Sequence, residues 1–312
     1  MNKKITLYYF LIALIVIISI TDSSYAALTA KFDVDKSLAF WTPERIKSAQ
    51  PFIPKNIEFR NETRSGTKNV KITDDDDNGQ LVMPPFDNPN NPHNYPIGRL
   101  FSTDSVGRLI ACTASMINTE NGNIGITAAH CLVDHDNDLE YDNIAFSPGY
   151  NSKILGPLGL IPVEFVTVPS GFNIPYDDYG FIRMRFNDPN GYKLQQYTGA
   201  NGWKLDVRGD DILTTVFGYP FGGDMPNCAR DGFHLCAFVG NVQTTDITYD
   251  IHGVRLGAGA SGAPLMVRYI INRNLGYTYS NHAAYFSKDD LSLAPYYIPE
   301  EFHILLDYAS TM

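Results

Sequence analysis

From Ile97 onward the sequence is broken into short apolar runs by turn-forming residues, and this segmentation most restricts the fold. Candidate strands are Ile97–Phe101, Leu109–Ile117, Ile124–Ala128, Ile144–Phe146, Val163–Val168, Phe181–Phe186, Leu213–Tyr219, Phe233–Thr244, Pro264–Tyr269 and Asn274–Tyr279. Asn121-Gly122, Ser147-Pro148-Gly149, Asp188-Pro189-Asn190-Gly191, Asn201-Gly202 and Phe221-Gly222-Gly223-Asp224 punctuate them. Gly and Asn allow the positive φ that tight turns need. Evenly spaced short strands of this kind predict an all-β barrel or sandwich. The one late segment with helical character is Pro299–Tyr308, with acids at its start and Phe302, Leu305 and Leu306 on one face. No internal repeat is visible.

The N-terminal third is different. Lys3 and Lys4 precede an almost wholly apolar stretch from Ile5 to Ile20, and Ser24-Tyr25-Ala26 then supplies small residues for cleavage. This predicts a secretory signal over 1–26, because about 16 apolar residues fall short of the ~20 needed to span a bilayer. No later segment is long and apolar enough to cross one. Residues 27–94 read as a propeptide or N-terminal extension. It holds Asp74-Asp75-Asp76-Asp77, read as a solvated segment, and ends in a Pro/Asn-rich linker around Met83–Pro96. The sequon Asn61-Glu62-Thr63 matters only in a glycosylating host. A formal net charge of −10 argues against nucleic acid as a partner, since phosphate binding needs a basic surface. Export permits disulfides, and four cysteines allow three pairings.

Three motifs carry chemistry. In Ile124-Gly125-Ile126-Thr127-Ala128-Ala129-His130-Cys131 a strand ends in two small residues and presents a histidine. In Tyr176-Asp177-Asp178-Tyr179-Gly180-Phe181-Ile182-Arg183 an acid enters a strand. In Gly257-Ala258-Gly259-Ala260-Ser261-Gly262-Ala263-Pro264 a serine sits in a glycine-rich turn. The chain order is histidine, aspartate, serine. With Val216-Phe217-Gly218-Tyr219-Pro220, these motifs resemble trypsin-like serine peptidases of the chymotrypsin fold. The similarity runs from about Tyr95 to the C-terminus and is greatest to the glutamyl-endopeptidase-like branch of secreted microbial enzymes.

The resemblance implies two six-stranded antiparallel β-barrels with a C-terminal helix, over residues 95–312. It implies His130 as general base, Asp178 as its orienting acid and Ser261 as nucleophile, with Asp177 the alternative acid. Gly259 and Ser261 would donate the oxyanion-hole N–H groups. It also implies a Cys112–Cys131 bridge, which leaves Cys228 with Cys236. Trypsin's aspartate before the serine is replaced by Ala260, so trypsin's activation ion pair is not expected; a propeptide would act otherwise, by occupying the cleft or assisting folding. For the substrate pocket the expected residues are Thr278, aligned to a histidine of the branch, and Arg255, six residues before Ser261, which would attract an acidic side chain. His252 and His282 could each line the pocket, but both read as loop residues. The acidic Asp134–Glu140 stretch reads as a hydrated loop, because the glycine of a calcium loop is missing.

The expected function is a secreted (extracellular or periplasmic) monomeric endopeptidase acting on proteins or peptides, without cofactor or metal. A catalytically inactive protease-fold binding protein is the alternative, and esterase action a side activity.

Overall fold

The computed structural model describes residues 26–53, 72, 80–82, 96–136, 139–286 and 290–312. The signal segment up to residue 25, the Asn61 sequon, the Asp74–Asp77 run and most of the Pro/Asn-rich linker (83–95) lie outside the described residues.

The described chain opens with β1 (Ala27–Lys31), helices α1 (Val34–Phe40) and α2 (Pro43–Ser48), and the two-residue strand β2 (Gln50–Pro51). Both helices are too short for a readable period, and local caps hold them. Asp33 accepts the N–H groups of Asp35 and Lys36 at the start of α1. Thr42 caps α2, whose first residue is Pro43.

Eight strands follow: β3 (Ile97–Thr103), β4 (Leu109–Met116), β5 (Ile124–Thr127), β6 (Val133–Asp134), β7 (Leu139–Glu140), β8 (Asp142–Pro148), β9 (Ile161–Pro169) and β10 (Gly180–Met184). Six of them run in the order β9-β10-β5-β4-β3-β8, and pairing of Phe146 with Ile161 closes the ring. The result is a closed antiparallel barrel, which leaves no sheet edge between its first and last strands. Inside it pack Leu100, Met116, Ile144, Phe146, Val163 and Val166. β6 and β7 form a separate small hairpin beyond His130. β1 extends the sheet on β9, from Ala27 opposite Pro169 to Lys31 opposite Phe165. β2 lies parallel to β4. The first half of the N-terminal extension is therefore built onto this barrel.

The second half contains α3 (Leu194–Thr198), β11 (Gly202–Trp203), β12 (Ile212–Gly218), β13 (Cys236–Thr244), β14 (Thr248–His252), β15 (Pro264–Ile270), β16 (Leu275–Asn281), β17 (Ala284–Phe286) and β18 (Leu291–Pro295). Its six main strands run β16-β15-β12-β13-β14-β18. The sheet curls until β18 meets β16, where the Ser280 hydroxyl donates to Pro295 O at 2.5 Å. Its interior holds Val216, Val242, Ile251, Leu256, Leu265 and Tyr279.

The final helix, α4 (Pro299–Thr311), has Pro299 in its first turn with Glu300 and Glu301. It turns Phe302, Leu305 and Ala309 inward, against Phe181, Trp203 and Tyr297. Glu301 accepts the Tyr179 hydroxyl at 2.7 Å, and burial raises its carboxyl above the ordinary range. The helix from the end of the chain thus clamps the first barrel next to Asp178. The described residues contain no helix long and apolar enough to cross a membrane.

Candidate active site

β5 is buried along its whole length, so the chain leaving it delivers Ala128 and Ala129 into the interior. A single turn over Ala129–Cys131 then presents His130. The Cys112–Cys131 disulfide ties that turn to β4, and Cys228 is bonded to Cys236, as the resemblance implied.

Asp178 stands just before β10, whose Gly180 pairs with Thr127 of β5. This register sets the carboxylate beside the histidine. One oxygen accepts the His130 main-chain N–H at 3.0 Å and the other meets Nδ1 at 2.6 Å. A carboxylate only accepts, so Nδ1 carries the proton and the neutral ring offers a lone pair at Nε2. Nε2 is buried and has no hydrogen-bond partner among the described residues. The neighbouring acid is placed elsewhere: Asp177 accepts the Asn173 N–H. Asp178 is itself held from the second unit. Asn281 donates to its main-chain oxygen at 3.0 Å, and the Tyr297 hydroxyl donates to Asn281 at 3.0 Å.

Ser261 lies in a turn that requires glycine. Gly259 has φ +79°, and a Cβ there would stand 2.7 Å from Tyr219 O. Gly262 has φ +80°, and a Cβ would stand 2.2 Å from both Thr113 O and the Thr127 hydroxyl. The turn is pinned to the first barrel by Thr113. Its N–H donates to Ser261 O at 2.8 Å, and its hydroxyl donates to Gly259 O at 2.9 Å. Two more bonds fix the turn's amides. Phe221 N–H donates to Ala258 O at 2.7 Å, and Ala263 N–H to Ala260 O at 2.8 Å. In a trans peptide C=O and N–H point oppositely. The N–H groups of Gly259 and Ser261 therefore face away from Phe221 and Ala263. Ala260 is buried in the second core, where trypsin has its pairing acid.

Beside Ser261 opens a cavity of about 340 Å³, bordered by Phe221, Arg255, His282 and Tyr285. Arg255 borders it, and its Nε donates to Asp224 at 2.8 Å. That bond raises the guanidinium pKa further. Thr278 is not on the cavity. It sits mid-strand on β16, fully buried and paired with Met266. The pocket histidine is His282, four residues later. β16 runs on to Asn281, so Thr278 is held inside the strand and the residue on the cavity comes just after the strand's end. His282 is buried, and desolvation, with His130 nearby, pulls its pKa down to about 4. A sequence signal was available: Asn281-His282-Ala283-Ala284 repeats the strand-end, histidine and small-residue pattern seen around His130. His252 is exposed at the end of β14 and bonds Gln243, outside the pocket.

The acidic loop folds locally, with Asp134 accepting the Asp136 N–H and the Ser105 hydroxyl. Among the described residues the only grouping of metal-binding side chains is Cys112, His130 and Cys131. Its two sulfurs are bonded to each other, so it offers no thiolate.

No protein-family model matches the sequence, and no curated protein matches it. Solved structures do match the fold. A thermostable serine protease, AL20, from an extremophilic microorganism has a TM-score of 0.59 at 21% identity, covering 72% of this chain and 99% of that one. The protease Anisep from Arthrobacter nicotinovorans gives 0.57 at 20% identity, covering 75% and 99%. A Glu endopeptidase bound to MPD gives 0.52 at 16% identity, covering 76% and 99%. The chain therefore has the two-barrel, chymotrypsin-like fold of the trypsin-like serine proteases.

Proposed function

We propose that the protein is a serine endopeptidase that cleaves peptide bonds through an acyl-enzyme. The observation that carries this reading is the double hold of Asp178 on His130, which leaves a buried, unpaired Nε2. A serine hydroxyl is a weak nucleophile until a base removes its proton, and the base must be held in one tautomer. In this reading Ser261 Oγ attacks the scissile carbonyl as His130 Nε2 takes its proton. Asp178 stabilises the imidazolium. The N–H groups of Gly259 and Ser261 receive the carbonyl oxygen as it becomes anionic, each donor worth roughly 2.7–4 kcal/mol of barrier. His130 then protonates the departing amine, and water hydrolyses the ester by the same steps in reverse. The triad needs no cofactor.

The preferred residue before the cut is acidic in this proposal. Among the described residues the cavity beside Ser261 carries one cation, Arg255, and the neutral His282 can donate a hydrogen bond to a carboxylate. Export through the 1–26 signal, and action on proteins or peptides outside the cell as a monomer, complete the proposal. Two disulfides accord with an oxidising compartment.

The test is labelling by a fluorophosphonate, followed by digestion of a proteome-derived peptide mixture with cut sites read by mass spectrometry. Labelling lost in Ser261→Ala, and cuts after Glu or Asp, are expected. A folded protein that takes no label even on prolonged exposure, and still takes none once the catalytic centre is opened by mutation, is the inactive binding protein instead.

A further inference from the structure

The segment Ala49-Gln50-Pro51-Phe52-Ile53, just after α2, crosses the catalytic residues. β2 lies against β4 with Gln50 opposite Ile110 and Pro51 opposite Ala111. The Phe52 N–H donates to Ala111 O at 3.0 Å, one residue before the cysteine bonded to Cys131. The Phe52 ring then stacks on His130, with centroids 4.9 Å apart and planes 27° apart. Pro51 lies against Gly259, so close that a Cβ built on that glycine would be 3.0 Å from Pro51 Cβ. Ile53 borders both the cavity holding Ser261 and the smaller one holding His130. One short peptide thus touches the base, the glycine turn and the mouth of the pocket.

Ile53 is 66% exposed. What holds the peptide is the arm before it. β1 pairs with β9 over five residues. Trp41 Nε1 donates to Asn143 O at 2.6 Å. Arg99, fully buried among Phe101, Tyr150 and Phe233, donates to Ala49 O at 3.0 Å. Ala49 is therefore fixed, and Phe52 follows only three residues later. A tether this short keeps the local concentration of the peptide high, so weak contacts suffice to occupy the site. The arm has buried anchors at Ser37, Trp41, Ile46 and Ala49 and the covering residues Gln50–Ile53 have none, which lets the second part open while the first stays bound.

We infer that Gln50–Ile53 is a plug, held by the arm of residues 27–49, that closes the catalytic centre in cis. The inference rests on the serine peptidase reading of that centre. The plug takes the place of an extended peptide along β4 and shields the imidazole face. Opening requires displacement of these four residues, whereas residues 27–49 remain part of the barrel.

The test measures the second-order rate of fluorophosphonate labelling of Ser261 in the full chain. Phe52→Ala is expected to label at least tenfold faster than the parent, with its thermal unfolding little changed. A capped peptide of sequence Ala-Gln-Pro-Phe-Ile should slow labelling of Phe52→Ala back toward the parent rate. If Phe52→Ala does not fold, Phe52→Leu, which keeps bulk and loses the ring stack, should still label severalfold faster. Equal labelling of the parent and the folded variants overturns the plug while leaving the peptidase reading intact. If parent and variants are folded and none is labelled, the peptidase reading fails and the plug fails with it.

Discussion

Acid should destabilise this protein through a single buried imidazole. His282 is 2% exposed, and its pKa is held at about 4 against an ordinary 6.5. Burial is the main cause and the nearby His130 the second, while Asp178 acts in the opposite direction. The folded state therefore binds fewer protons than the unfolded chain between these values. Stability is fully present above about pH 6.5 and is lost as pH falls toward 4, where the loss from this group reaches about 3 kcal/mol. That is a large share of the 5–15 kcal/mol typical of a domain.

The effect can be isolated by comparing the parent with His282→Gln, both in a Ser261→Ala background to prevent self-digestion. Glutamine keeps an amide donor and does not titrate. Urea unfolding followed by circular dichroism at pH 7 and pH 4 gives four stabilities. The carboxylates titrate in both proteins and cancel. The parent should lose about 3 kcal/mol more than the variant between the two pH values. A difference below ~0.5 kcal/mol would mean that His282 either binds its proton readily in the fold or is hydrated, and the pocket wall drawn above would be wrong.

Other consequences are more direct. Ser261→Ala should lower peptide turnover by about 10⁶ at unchanged Tm, measured by single-substrate kinetics; a rate within tenfold of the parent would reassign the nucleophile. Arg255→Gln should cut kcat/KM for a peptide with Glu before the scissile bond at least tenfold while sparing one with Leu. Equal effects on the two substrates would remove Arg255 from recognition. Breaking the Cys112–Cys131 bridge, which spans 19 residues, should cost about 3 kcal/mol in urea unfolding and loosen the His130 turn.

The features that are legible in the sequence and those that are not differ in a physical way. His130, Asp178 and Ser261 are each announced by local chemistry: small residues beside a strand end, an acid entering a strand, glycines where φ must be positive. The first barrel's strands were legible because each is an apolar run bounded by turns. β14 and β18 were not. Leu291–Pro295 has no β-branched residue, and Asp250 and His252 break the apolar run of Thr248–His252; the two become strands by pairing with each other and with β17 and β13. The N-terminal arm was legible only as an extension, because β1 gains its partner on β9 more than a hundred residues later. The boundary read at Phe233 moves to Cys236 because the Cys228–Cys236 loop occupies the residues before it. His282 lies in the loop after β16, as its sequence context reads, but that it borders the cavity depends on how the loop folds back on Ser261.

What joins these pieces into one site is Thr113, and replacing its hydroxyl shows how much rests on it. The side chain is fully buried at the seam between the barrels. Its hydroxyl donates to Gly259 O and accepts the Tyr219 N–H at 3.2 Å, while its main-chain N–H holds Ser261 O. Thr113→Val keeps the shape and the main-chain bond but leaves Gly259 O and Tyr219 N–H buried without partners. Each orphaned group costs about 1–3 kcal/mol, so a loss of about 2–6 kcal/mol is expected in urea unfolding. The serine turn would keep one of its two ties to β4, and turnover should fall in the fraction that remains folded. Thr113→Ser restores both hydroxyl bonds while removing a methyl group, so it should recover turnover although its own packing is poorer. If the valine variant matched the parent in both stability and kcat, the turn would be held by its glycines alone. The inter-barrel seam would then have no part in aligning Ser261 with His130.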